Sequence, residues 1–441
     1  VAPEDQKRVL FIRLSALGDV IHSLPAAAAI KNRSGIKLVW VVEEPFAELL
    51  HNNSVADEVI VFPKKAIVAG LSSFGTWSPS ATRFKTFIDD LKERNFDAAI
   101  DLQGLFKSGV IAYFSGAPLR VGFSEARELS SLMLTDKLDA RGYFSYDKHV
   151  VDHNVALAEF LLTKLLGAGG GFSASKTFPL PAPGASAVAR IRDLIYGGAP
   201  RAESSLGSPV VADTTDTTDT GMTHDKRAGM PDSEAGGAIE VTKSDHDAVY
   251  EGGTRDESGT GDESGAERET TIAMIPGTTW PSKIWPSEKW VEAAIKLIDL
   301  HNVRIVLLGS KTEGDTNQYI YESVLKERSA AKIRNLTGQT SLVDLIAVFQ
   351  MVSVVVGVDT GPLHLAAATG SPKVVGVYGS TPPKRNGPYL PQGPSEHIVA
   401  LNLSCQPCFE KNCPLSTTAC LKDLEPSLVV QEIERALGKG D

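Results

Sequence analysis

Short runs of aliphatic and β-branched residues alternate with longer mixed stretches over the first 165 residues. Residues 9–14 (VLFIRL), 37–43 (KLVWVVE), 58–62 (EVIVF), 97–102 (DAAIDL) and 119–123 (LRVGF) predict strands. Residues 19–32, 45–52, 80–95 and 104–114 predict the helices between them. GAGGG at 167–171 and PLPAPG at 179–184 read as linker, followed by a helix over 185–196. The rhythm resumes with strands at 271–276, 304–309, 333–337, 352–358 and 373–378, interleaved with helices at 286–301, 313–328, 341–351 and from 361. Strands separated by helices call for parallel sheets. The fold class is therefore α/β, with two Rossmann-like domains facing a central cleft. The boundaries are 8–166, a linker at 167–198, a second domain at 271–425 and a last helix within 426–441. Ligands of such sheets bind beyond the carboxyl ends of the strands.

Composition changes this picture in one place. Residues 199–270 are poor in apolar side chains and include TTDTTDT at 214–220. Such a stretch buries too little to offset its ordering entropy, so a disordered acidic insert is expected, or else a regulatory acidic loop. It holds 17 acidic and 6 basic residues, which accounts for the whole net charge of −10 and leaves the remainder close to neutral. The overall pI consequently says little about the substrate. No apolar run reaches the ~18 residues of a spanning helix. The opening residues lack the pattern of a secretory leader, so none is expected. The four cysteines all fall within 405–420, which excludes a disulfide-stapled scaffold.

Candidate chemistry lies where strands run into helices. LSALGD at 14–19 offers Gly18 for a tight turn and Asp19 at or near a helix N-cap, where it either caps the helix or acts as a general base. Arg13 and Ser15 in the same turn suit an anion. In PGTTWPSKIWP at 276–286, Thr278, Thr279 and Lys283 suit a phosphate, although the spacing is not that of a Walker loop. Asp359, Thr360 and Gly361 end a strand and open a helix carrying His364, either a nucleotide-diphosphate site or a satisfied buried histidine. Cys405, Cys408, Cys413 and Cys420 are candidate ligands of a structural zinc or an iron–sulfur cluster, or remain reduced and packed.

Together these segments resemble glycosyltransferase family 9, the bacterial ADP-heptose:lipopolysaccharide heptosyltransferases. The residues that carry the resemblance are RLSALGDVIHSLPA at 13–26, WVVEEPFAEL at 40–49, IDLQGLFKS at 100–108, ARELSS at 126–131, TTWPSKIWP at 278–286 and DTGPLHLAAA at 359–368. WVVEEPFAEL and IDLQGLFKS look most like the heptosyltransferase I branch. The resemblance implies a GT-B fold, with the acceptor in the first domain, the donor in the second, and a final helix crossing back to the first. It implies inverting transfer of L-glycero-D-manno-heptose from ADP-heptose to the Kdo residue of Kdo-lipid A, in lipopolysaccharide core biosynthesis. Asp19 would be the base and Lys283 the donor-phosphate lysine. Thr278, Thr279, Glu313, Asp359, Thr360, Gly361 and His364 would complete the donor site. Arg13, Ser15, Gln103, Lys107 and Arg127 would meet the acceptor.

No DxD-type motif stands out, so no cofactor is expected to be required. The expected location is cytoplasmic, peripheral on the inner face of the inner membrane, with no nucleic-acid partner. Lys64, Lys65, Arg83, Lys85, Lys92 and Arg94 are the basic row expected to face the lipid, or else a solvated helix face. The alternatives are a heptosyltransferase II or III acting on a later core heptose, a nucleotide-sugar epimerase of the same shape, and a non-catalytic nucleotide-sugar-binding protein.

Overall fold

The computed structural model describes residues 6–64, 77–140, 147–167, 176–197 and 269–439, with the backbone alone for 77–80. Residues 1–196 and 261–441 form one compact unit. A second unit, 197–260, lies outside the described residues apart from residue 197, as do Lys65 and all of the expected insert except its last two residues.

In the first half the strands are β1 (Lys7–Ile12), β2 (Ile36–Glu43), β3 (Glu58–Phe62), β4 (Ala98–Asp101), β5 (Leu119–Phe123) and β6 (Asp136–Leu138). They pair in parallel in the order β3-β2-β1-β4-β5-β6. In the second half they are β7 (Thr271–Ile275), β8 (Arg304–Leu307), β9 (Ile333–Asn335), β10 (Val354–Val358), β11 (Lys373–Val377) and, skipping a two-residue hairpin, β12 (Ile398–Val399). Their order, β9-β8-β7-β10-β11-β12, repeats that of the first half strand for strand. Each half is thus a doubly wound sheet, and its switch point lies beside its first strand, between β1 and β4 and between β7 and β10.

Leaving aside two four-residue helices, Pro383–Asn386 and Ala419–Lys422, the helices among the described residues are α1 (Leu17–Lys31), α2 (Trp77–Glu93), α3 (Phe106–Phe114), α4 (Val150–Leu166), α5 (Ala185–Tyr196), α6 (Ser287–His301), α7 (Gly314–Glu327), α8 (Leu342–Met351), α9 (Gly361–Thr369) and α10 (Pro426–Ala436). Helix α1 is buried continuously from Val20 to Ile30 because it is enclosed by its own sheet, by α4 and by α9 of the other half. Ala26 to Ala29 lack bulk, which lets those neighbours approach. The segment 45–52, expected as a helix, is instead the 3-10 helix Glu44–Leu49.

The last helix corrects an expectation. Rather than returning to the first half, α10 packs on the second, burying Val429, Val430 and Ile433 in a cluster with Trp285, Trp290 and Leu297. Polar ties agree with that placement. Leu424 O accepts Trp285 Nε1 at 3.1 Å, Glu434 lies 2.7 Å from His301, and Glu432 lies 2.7 Å from His397. An apolar helix face goes where the larger matching surface is, and here two tryptophans of the second half provide it.

Candidate functional site

At the first switch point, β1 ends in a turn that is fixed from two sides. Gln103 Oε1, beyond the end of β4, accepts the amides of Leu14 and Ser15 at 3.1 and 3.2 Å. Arg13 is 4% exposed, and its two terminal nitrogens meet Leu102 O and Asp19, the latter at 2.7 Å. Two residues expected to meet the acceptor therefore hold the turn and the carboxylate. Asp19 is the third residue of α1 and not its N-cap, which is Ala16. Its Oδ2 still accepts the Ala16 amide at 3.3 Å, so capping coexists with a carboxylate that is 37% exposed.

Beside this turn, Glu43 at the end of β2 is buried and takes Lys64 on one oxygen and Lys107 on the other, both at 2.8 Å. Hydrogen bonds and charge from the two lysines outweigh burial and hold its carboxyl below the usual range. Glu43 was missed, although it ends a predicted strand at its carboxyl edge. Asp101 ends β4 and accepts from the amides of Gln103 and Gly104 and from the hydroxyls of Ser108 and Ser130. Burial nevertheless pushes its pKa up. Arg127 is exposed, its amide pinned to Gly104 O at 2.9 Å.

At the second switch point Asp359 is the hub. Its Oδ2 accepts Lys283 Nζ and Thr381 Oγ1, each at 2.7 Å, and its Oδ1 lies 3.1 Å from His364 Nε2. Burial would raise its pKa, but His364 and Lys283 hold it far below the carboxylate range. Asp359 is thereby an anchor for Lys283 and His364, and Thr381, also missed, is its third partner. Lys283 lies over the Trp280 ring at 4.3 Å. Thr278 Oγ1 reaches Asp359 O at 3.5 Å, and Thr360 is the N-cap of α9. Thr279 Oγ1 has no hydrogen-bond partner among the described residues. Glu313 lies against Gly277, where an added Cβ would come within 2.8 Å of its Oε1, so it borders the same loop while capping Ser310.

The two halves of the site meet through two glycines. A Cβ on Gly18 would lie 2.7 Å from His364 Cδ2, and one on Gly361 would lie 2.6 Å from Leu17 Cβ. Gly18 is therefore required by close approach and not by the tight turn expected of it, because its φ lies outside the left-handed region. A path of direct contacts runs from Asp19 through Gly18, His364 and Asp359 to Lys283. Behind it, the His22 and His364 rings lie 4.4 Å apart and the His22 and His149 rings 5.2 Å apart.

The four cysteines line a small cavity of about 30 Å³ together with Ser282 and Ser380. Burial and the other three thiols push the Cys420 thiol up to about 11. Among the described residues no three His, Cys, Asp or Glu are placed to hold a metal ion, so the structural zinc considered as one possibility for these cysteines is not supported. What the segment does is brace the Lys283 loop. Ser282 bonds Ser380 at 2.9 Å and gives its amide to Lys411 O, while Phe409 N donates to Ser380 O. Among the described residues, no helix is long and apolar enough to cross a membrane.

Paired doubly wound sheets with polar residues converging from both switch points define a GT-B architecture of two Rossmann-like domains. The chain belongs to glycosyltransferase family 9 (heptosyltransferase), whose profile matches residues 84–168 and 229–419. Lipopolysaccharide heptosyltransferase 1 of Pseudomonas aeruginosa is 26% identical over 98% of both chains. Lipooligosaccharide heptosyltransferase 2 of Campylobacter jejuni is 30% identical over 38% of this chain, a match that spans about half (50%) of that relative's length. Among solved structures, Escherichia coli heptosyltransferase II superposes with a TM-score of 0.62 at 17% identity, covering 98% of this chain and 99% of the other. Escherichia coli heptosyltransferase WaaC with ADP gives 0.59 at 23%, covering 97% and 99%. These likenesses agree with the fold.

Proposed function

We propose that this protein is an inverting heptosyltransferase that moves L-glycero-D-manno-heptose from ADP-heptose to the Kdo residue of the lipopolysaccharide inner core. The observation that carries the reading is the abutment of the two switch points. Gly18, the neighbour of Asp19 in the first half, packs on His364 of the second, which lies 3.1 Å from Asp359, the partner of Lys283. Asp19, held by Arg13, takes the proton of the acceptor hydroxyl as that oxygen attacks the anomeric carbon. The bond to the diphosphate breaks on the opposite face. Lys283 and the positive end of α9 meet the charge that develops on the leaving group. Thr278, Thr279, Thr360 and Gly361 border the diphosphate in this reading, and Glu313 the ribose. Lys107 and Arg127 face the acidic acceptor, beside the Glu43 that keeps Lys107 in place. No cofactor is required for these steps. An acceptor embedded in the inner leaflet places the enzyme in the cytoplasm, peripheral to the membrane.

The Campylobacter relative is named a heptosyltransferase 2, which favours a second reading in which the acceptor is an existing core heptose. One experiment separates the two. ADP release is followed with ADP-heptose and either Kdo-lipid A or its monoheptosylated product, with UDP-sugars and acceptor-free reactions alongside. Release with Kdo-lipid A alone supports the first reading, and release only with the heptosylated acceptor supports the second. Activity with UDP-sugars, or none with either acceptor, contradicts both.

A further inference from the structure

The first half carries an apolar surface that the chemistry above does not use. Leu132 is 73% exposed, Leu129 69%, Tyr113 53%, Phe106 52% and Phe114 42%. Phe106 and Tyr113 are seven residues apart on α3 and so share one helix face. Leu132 lies in the 3-10 helix Ser130–Met133 and Leu129 is its N-cap, three residues earlier, a spacing that aligns the two side chains.

The two elements are joined firmly. The Phe106 amide donates to Glu128 at 3.1 Å, and the Arg127 amide to Gly104 O at 2.9 Å. Gly109 lets Ser130 and Met133 pack against α3, and Ser130 is bonded to the buried Asp101 at 3.1 Å. Glu128 and Leu129 both adopt positive φ, 54° and 62°, a conformation costly for residues with a Cβ. A rigid, strained segment thus presents two leucines to solvent, an arrangement unlike isolated exposed apolar residues.

Three members of the basic row expected to face lipid are paired with carboxylates, while a fourth, Lys92, borders this surface. Lys64 is paired with Glu43, Lys85 with Asp89, and Arg94 with Asp90 and Glu58. Lys92 and Arg120, by contrast, have no carboxylate partner among the described residues. Lys92 lies 5.7 Å above the Phe114 ring and Arg120 5.5 Å above the Tyr113 ring. Arg120 also donates to Met133 O at 2.8 Å, which joins that end of α3 to the leucine segment. Aromatic and aliphatic side chains rimmed by uncompensated cations complement the headgroup region of an anionic bilayer.

We propose that Phe106, Tyr113, Phe114, Leu129 and Leu132, with Lys92 and Arg120 at their rim, form the surface by which this protein docks on an anionic lipid bilayer. The inference rests on the reading of the acceptor as lipid-borne. Phe106 is adjacent in sequence to Lys107, so docking through this face sets the acceptor side of the cleft at the bilayer surface.

Sedimentation of the full chain with vesicles containing phosphatidylglycerol, and with phosphatidylcholine vesicles alone, tests the proposal. The unaltered protein is expected to bind the anionic vesicles, less so as salt rises. Leu129→Asp with Leu132→Asp should weaken that binding by at least ~10-fold, and Lys92→Glu should weaken it in a salt-dependent way. All three side chains point outward, and thermal unfolding of each variant verifies its fold. Transfer of heptose to a deacylated, water-soluble acceptor should be unchanged in the leucine variant, while transfer to vesicle-borne acceptor falls. Equal vesicle binding by all forms overturns the proposal. So does a protein that ignores vesicles but forms a dimer that the leucine variant dissociates, since the surface would then cover a second copy. Leucine-dependent vesicle binding without transfer to the soluble acceptor leaves the docking surface standing and removes the heptosyltransferase reading instead.

Discussion

Acidification should loosen the junction between the two halves through His149. This residue is 2% exposed and precedes α4 of the first half. Its Nδ1 accepts the Val151 amide at 3.2 Å, so the ring proton resides on Nε2 and is donated to Gly387 O of the second half at 2.9 Å. Burial, reinforced by the nearby His364 and Arg385, lowers its pKa to about 4 against the attraction of Gly387 O and Asp152. An unfolded histidine takes up its proton near pH ~6.5, whereas this one stays neutral until about 4. Its contribution to stability is therefore complete above the unfolded pKa and is lost as pH falls toward the folded one. At ~1.4 kcal/mol per pH unit across that window, moving from about pH 7 to about pH 5 removes roughly 2 kcal/mol. His22 acts in the same direction, because burial and its histidine neighbours lower its pKa as well. His149→Gln retains a donor for Gly387 O but does not titrate. Urea unfolding of both proteins at the two pH values should show the parent losing about 2 kcal/mol more than the variant. Equal losses would refute the assignment of a neutral, inter-half histidine.

Thr381→Val deletes a buried hydroxyl from the Asp359 carboxylate, and should cost about 1.5–3 kcal/mol in denaturant titrations while raising the Kd for ADP-heptose as Lys283 loses its fixed partner. Unchanged stability and donor affinity would contradict the hub. Gly18→Ala forces a Cβ against His364 at the meeting of α1 and α9, with an expected loss of ~1–3 kcal/mol and a larger drop in turnover than in donor binding. Calorimetry with steady-state kinetics measures both, and a fully active, equally stable variant would argue against close approach there. Removal of residues 200–267 should leave Tm and turnover unchanged. Arg304 already holds Ile195 O at 3.2 Å and Glu269 at 2.9 Å, so the flanks of the excised stretch are fastened side by side. Aggregation or lost turnover in the shortened chain would show that those residues serve the folded unit.

Much of the frame is legible in the sequence because buried parallel strands leave a strong local mark. Glu58–Phe62 and Leu119–Phe123 fall at their expected positions, as does α5 at Ala185–Tyr196. The strand ends next to which the candidate residues stand were legible for the same reason. The direction in which each side chain spends its charge was not. Arg13 and Lys107 look alike as anion ligands in sequence, yet one is turned inward by Leu102 O and Asp19 and the other is balanced on Glu43. Leu102 and Glu43 lie 89 and 64 residues from these side chains, and no local pattern encodes such partners. The helix at Pro426–Ala436 was found, but its amphipathic face reads the same whichever half it covers. Cysteine spacing likewise shows four thiols close together without showing whether their side chains converge on one point.

The role of Asp19 is tested most directly by single-turnover transfer from ADP-heptose to Kdo-lipid A by Asp19→Ala, with donor affinity measured on the same preparation. With the general base removed and the Lys283 side of the site intact, donor binding should stay nearly unchanged while the rate falls by ~10²–10⁴. A variant that transfers heptose at close to the parent rate with saturating acceptor would contradict the account.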